Sequence, residues 1–181
     1  MNFSEEKFEI LLANAEISRR AGELAAQIAR EAESMGVRSL TVLWLAEGAA
    51  PFAEELARGM DIDMNFSSVR VSSYGNSRKS SGHPEIFGEF PDLRNADVLV
   101  VDDILDTGAT LRKVLDCVSA AGARNVKSCV LLNKKISTEK RASADYVGFE
   151  IEDAFVFGFG MDLEGDFRNL PHVMKLKGNS A

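Results

Sequence analysis

Three carboxylates crowd into VLVVDDILDTGATL, residues 98–111. Asp102 and Asp103 stand side by side after an apolar run, and Asp106 follows three positions on. Carboxylates attract hydroxyl donors, divalent cations and transferable protons. Directly after them, Thr107-Gly108-Ala109-Thr110 leads into apolar residues at helical spacing. The first N–H groups of a helix have no partner within it, and its dipole favours negative charge there, so this turn suits an anion. Thr107 and Thr110 add hydroxyl donors, and Gly108 lets the backbone come close. Acids beside an anion cradle suggest a ligand with a phosphate at one end and hydroxyls, or a divalent metal, at the other. Paired acids at strand ends also occur in phosphoacceptor receiver domains, and acid-Thr-Gly turns occur as plain helix caps. Spacing alone leaves those readings open. The chain has no G-x-x-x-x-G-K-[ST] match, which counts against a P-loop nucleotidase.

The surrounding pattern says what positions these residues. Asp97 precedes Val98–Val101, a run that reads as a strand buried on both faces. Leu111, Val114, Leu115 and Val118 make one helical stripe closed by Gly122, and VKSCVLLN, 126–133, is the next strand. Upstream, SLTVLWL (39–45) and MNFSSVRVSSYG (64–75) read as strands around a helix that Pro51 opens and Gly59 ends. At the N-terminus Ser4 is placed to cap a helix from Glu5, continued by Ile17, Ala21, Leu24, Ala25, Ile28 and Ala32 and closed by Gly36. Polar NSRKSSGHPE, 76–85, reads as a loop. Repeated strand–helix–strand units predict an α/β fold with a parallel twisted sheet flanked by helices. Ligands of such sheets bind at the carboxyl ends of the strands, where Asp102 and Asp103 fall. The aromatic, glycine-rich DYVGFEIEDAFVFGFGMDL, 145–163, predicts small strands and turns beside the sheet.

Composition narrows the function classes. A chain of 181 residues with 45% hydrophobic content fits a single domain with a sizeable core. The net charge of −7 argues against bulk binding to nucleic acid or to an anionic membrane. No apolar run is long enough to span a membrane, and MNFSEEKFEI lacks a signal core, so the expectation is a cytoplasmic protein. Cys117 and Cys129 sit in apolar periodic segments and read as reduced core residues.

VVDDILDTGATL resembles the ribose-phosphate signature of the type I phosphoribosyltransferases: two acids, two apolar residues, then Asp-Thr-Gly-x-Thr. SSYGNSRKSSG, 72–82, resembles the lid of the hypoxanthine-guanine (6-oxopurine) branch. DYVGFEIEDAFVFGFGMD with FRNLPHV resembles that branch's purine hood and carboxyl-terminal segment. The three matches keep family order and spacing from about residue 40 to 175. The resemblance implies the type I phosphoribosyltransferase fold in one domain, with a core from about 37 to 140 and a small hood from about 1–15 and 145–181.

The same resemblance implies purine salvage. The 5-phosphoribosyl group of 5-phosphoribosyl-1-pyrophosphate (PRPP) would pass to hypoxanthine or guanine, giving IMP or GMP and pyrophosphate, with Mg²⁺ as cofactor. Asp102 and Asp103 would take the ribose hydroxyls and Mg²⁺. Asp106 would handle the proton near purine N7. Thr107, Gly108, Ala109 and Thr110 would cradle the 5-phosphate. Lys134 would meet the exocyclic oxygen of a 6-oxopurine, Phe155 would stack on the base, and Val156 would offer backbone groups to its edge. Asp162 would hold a second Mg²⁺ and Arg168 would contact pyrophosphate. Ser73 and Tyr74 match the lid that closes over the reacting centre. Homodimers or homotetramers are common in the family.

One stretch departs from the pattern. WLAEGAA, 44–50, falls where the family usually has a Leu-Lys-Gly pyrophosphate loop, often with a non-proline cis peptide. Glu47 there reverses a local charge, while the amides of Glu47 and Gly48 remain available if the side chain turns to solvent. The expectation is weaker or more Mg²⁺-dependent PRPP binding. A PRPP-sensing regulator of the same fold, or a xanthine-preferring phosphoribosyltransferase, is the alternative.

Overall fold

The computed structural model describes residues 7–72, 85–87 and 90–177. Ser73, Tyr74 and the rest of the expected lid lie outside them. The elements run β1 (Phe8–Leu12), α1 (Asn14–Ser34), β2 (Ser39–Ala46), α2 (Ala50–Arg58), β3 (Asp63–Ser72), β4 (Glu85–Phe87), β5 (Asp97–Leu105), α3 (Ala109–Ala120), β6 (Asn125–Lys135), β7 (Tyr146–Glu152), β8 (Val156–Phe157) and β9 (Val173–Leu176).

Six strands form the main sheet in the order β4-β3-β2-β5-β6-β7, parallel except for β4. The side-chain period of two divides its faces. Leu99 and Val101 of β5 join Val42 under α1 and α2, while Val98 and Val100 join Leu43 and Leu45 under α3. The helices bury the predicted stripes: Ile17, Ala21, Leu24, Ala25, Ile28 and Ala32 on α1, and Leu111, Val114 and Val118 on α3. The order reverses at β2: β3 lies on one side of it and β5 on the other. In open α/β sheets the ligand crevice opens at such a switch, beyond the carboxyl ends of the strands. Here that crevice lies between Ala46 and Asp102.

Two expectations change. A helix was predicted from Glu5, but Phe8–Leu12 is a strand and α1 begins at Asn14. β1 pairs antiparallel with β9, Phe8 opposite Leu176, and the Phe8 ring meets Phe157 edge-on at 5.0 Å. That distant pairing overrides a locally plausible cap. Residues 146–152, read with the hood, form the edge strand of the main sheet instead. Gly148 permits it, since a Cβ there would meet the Leu131 carbonyl oxygen at 2.4 Å. Arg20 on α1 donates to the Val147 and Gly148 carbonyls, and Tyr146 donates its hydroxyl proton to Glu31. The small sheet is β1-β9-β8. Cys129 is buried and Cys117 half-buried, both as free thiols. No helix among the described residues is long and apolar enough to cross a membrane.

Candidate functional site

A pocket of about 430 Å³ opens at the switch point. Ala46 and Gly48 from the end of β2, Asp102 and Asp103 from β5, and the run Asp106 to Thr110 leading into α3 all line it. Asp102 is 7% exposed and its Oδ1 accepts the Asp103 N–H at 3.0 Å. Asp103 Oδ1 accepts the Ile104 N–H at 2.8 Å, which leaves Oδ2 on the Gly48 side. Burial, and for Asp102 the adjacent Asp103 carboxylate, push both acids above the usual carboxylate range. Two desolvated acids side by side, only one of them, Asp103, within range of a cation, Arg168, favour a ligand that brings hydroxyls or positive charge.

The glycines are explained by what they face. A Cβ on Gly48 would lie 1.8 Å from Asp103 Oδ2. Gly108 caps α3 at φ +75, and a Cβ on it would lie 2.7 Å from the Ala142 backbone. Gly160, at φ +95, packs against the Gly48 carbonyl, which a Cβ would approach at 2.2 Å. Thr107 Oγ1 accepts weakly from the Ala109 N–H at 3.4 Å. Ala46–Glu47 is a cis peptide, at the position where the pyrophosphate loop was expected.

Asp106 is exposed, and Lys134 Nζ from the end of β6 stands 3.8 Å from its Oδ2. Lys134 is only 13% exposed and lies 3.7 Å from Asp153. Phe155 is exposed, whereas Val156 is buried and pairs with Lys175 in the small sheet. Arg168 reaches Asp162 at 2.7 Å and donates to the Gly160 carbonyl at 2.7 Å. Its Nε lies 3.7 Å from Glu47, whose other oxygen lies 3.9 Å from Arg70. The Glu47 side chain is thus not simply turned to solvent. It sits between two guanidinium groups.

Among the described residues no three or more His, Cys, Asp or Glu side chains form a metal cage. The donors present suit a hard cation held by one or two carboxylates and completed by water and phosphate oxygens, as Mg²⁺ commonly is. Asp102 and Asp103 fit that part. Asp162 is already engaged on both oxygens, by Arg168 and by the Gly165 N–H at 2.8 Å.

Sequence reasoning did not single out Arg70, Asp153 or Lys140, which reach Glu47, Lys134 and the Leu105 carbonyl just before Asp106, nor Asn133, which accepts from Lys140. Asp153 lies within the quoted hood segment, two positions before Phe155. Arg70 and Lys140 carry no local signal, because only the folded chain brings them there.

The phosphoribosyl transferase domain matches residues 8–164. The hypoxanthine-guanine phosphoribosyltransferase of Aquifex aeolicus is 38% identical over 169 residues, 93% of this chain and 94% of its own. That of Bacillus subtilis is 34% identical over 170 residues, 93% of each chain. The hypoxanthine phosphoribosyltransferase of Trypanosoma cruzi, solved in complex with its product IMP, superposes with a TM-score of 0.86 at 29% identity over the whole of both chains.

Proposed function

The chain belongs to the phosphoribosyl transferase domain family, on its hypoxanthine-guanine branch, and from that premise we propose that it makes IMP or GMP from PRPP and hypoxanthine or guanine. The observation that carries this is the single pocket that unites Asp102, Asp103, the helix-opening turn 107–110 and Asp106 at the sheet's switch point.

The C1′ bond to the purine forms as the C1′ bond to pyrophosphate breaks, through an oxocarbenium-like state. Asp102 and Asp103 accept hydrogen bonds from the ribose hydroxyls and hold the ring in place. The amides of Thr107 to Thr110 bind the 5-phosphate, fixing the sugar from its other end. Asp106 takes up the proton that the base sheds at N7. Lys134 donates to the 6-oxo group, which selects against a 6-amino purine, since an ammonium cannot accept a hydrogen bond. Phe155 supplies a face for stacking and Val156 backbone groups for the base edge. Arg168 and the amides of Glu47 and Gly48 receive the departing pyrophosphate. By their sequence match, Ser73 and Tyr74 would serve in a lid that excludes water. Asp102 and Asp103 would hold Mg²⁺, which would neutralise phosphate charge; Asp162 would hold a second ion on the pyrophosphate side only by giving up its Arg168 partner.

The reaction needs no nucleic acid or membrane, and its reactants are small soluble metabolites. That, with two free thiols among the described residues, supports a cytoplasmic setting. The assembly is a homodimer or homotetramer. Incubation with PRPP, Mg²⁺ and each purine base in turn tests the reading. Hypoxanthine or guanine should yield its mononucleotide and adenine should not; failure of every 6-oxopurine to react would overturn it.

A further inference from the structure

The connection from β6 to β7, residues 136–145, contains no helix, although the strands it joins are parallel. It folds back along the turn that carries Asp106. The Arg141 N–H donates to the Thr107 carbonyl at 2.8 Å, and the Ala142 backbone lies against Gly108. Lys140 Nζ donates to the Leu105 carbonyl at 3.0 Å and to the Asn133 side-chain carbonyl. The carbonyls on either side of Asp106, those of Leu105 and Thr107, are therefore both held by this one connection. Asn133 immediately precedes Lys134. A single ammonium thus ties the end of β5, which carries Asp106, to the end of β6, which carries Lys134.

We infer that Lys140 is a positioning residue that sets the separation of Asp106 and Lys134, and so the geometry of proton handling and 6-oxo recognition. This rests on the reading of those two residues given under Proposed function. Lys140 is half-buried, and burial lowers its pKa against the opposing charges of Glu150 and Asp106, with Lys134 also within range. A desolvated donor that satisfies two acceptors at once is a stiffer tie than an exposed lysine. It touches neither acid pair nor anion cradle, so its effect falls on chemistry more than on PRPP binding. Misplacing a reacting group by a fraction of an ångström to one ångström is enough to lower turnover.

The test compares K140M and K140R with the unaltered protein, measuring kcat, PRPP KM and melting temperature. In K140M, kcat should fall by about tenfold while PRPP KM stays within about threefold and the protein remains folded. K140R, whose guanidinium can serve both acceptors, should recover most of the loss. If K140M does not fold, K140Q, which keeps a donor on a shorter stem, is read by the same split. An unchanged kcat, or a loss of kcat matched by a rise in PRPP KM and a fall in melting temperature, overturns the inference. If the unaltered protein makes no nucleotide, the functional reading itself fails. If it turns over normally and K140M does too, only the role of Lys140 fails.

Discussion

Asp106 stands exposed at the mouth of the pocket, with Lys134 at 3.8 Å as a charged neighbour. A general acid–base group so placed typically contributes two or more orders of magnitude. Asp106→Asn should therefore lower kcat about 10²-fold or more with little change in melting temperature; steady-state assay beside thermal unfolding checks it. Glu47 is the residue where charge runs against expectation. Its carboxylate lies between Arg168 and Arg70 at 3.7 and 3.9 Å, in competition with any phosphate for the same guanidinium groups. Exposed pairs of this kind contribute at most about 1 kcal/mol. Glu47→Lys should lower PRPP KM by about fivefold, the equivalent of 1 kcal/mol, and reduce its dependence on Mg²⁺. A PRPP KM that stays the same across a Mg²⁺ series would contradict it. At this scale the sequence spoke clearly wherever a motif was contiguous. Asp102 to Thr110 line one pocket because they share one strand end and one turn. Arg70, Asp153 and Lys140 were silent because the site groups they reach, Glu47, Lys134 and the Leu105 carbonyl, lie far away in sequence.

Elements whose pattern is periodic and local were legible. The buried stripes of α1 and α3 fall on the residues that the spacing named, and the glycine stops at Gly36, Gly59 and Gly122 stand at or just beyond the ends of α1, α2 and α3. Elements defined by pairing were not. β1 is a strand only because β9 returns beside it, and β7 leaves the hood because Gly148 admits it next to β6. One tie between elements has a testable pH dependence. Asp97, at the start of β5 and 5% exposed, accepts from Arg124 and Asn125 at the start of β6. The Arg124 guanidinium hydrogen-bonded to it holds its carboxyl below the usual carboxylate range. A depressed folded pKa adds stability above the unfolded value, and that contribution is lost as pH falls through the folded one. Asp97→Asn should cost about 1–3 kcal/mol at neutral pH. The gap to the unaltered protein should narrow on acidification below the ordinary carboxylate value. A gap that widens in acid would contradict the assignment.

At the scale of the whole molecule, the switch between β2 and β5 makes the crevice, and the small sheet β1-β9-β8 carries Val156 and, next to it in the chain, Phe155, the residues proposed to meet the base. Beside α2 the described residues leave an apolar face exposed. The rings of Trp44 and Phe66 meet at a tilt, 6.2 Å apart, beside Ala50, Ala53 and Ala57 of α2, and Phe66 is 48% exposed. Glu54 and Arg58 flank this groove one turn apart. Their side chains pair with each other at 2.6 Å within the chain. Phe66→Arg should shift the proposed oligomer towards monomer in sedimentation velocity, and an unchanged distribution would move the interface elsewhere. The binding claim itself is tested most directly by a crystal structure with PRPP or IMP bound. The 5-phosphate should lie on the amides of residues 107–110, with the ribose hydroxyls at Asp102 and Asp103. Ligand density away from that turn, or no binding at millimolar concentration, would contradict it.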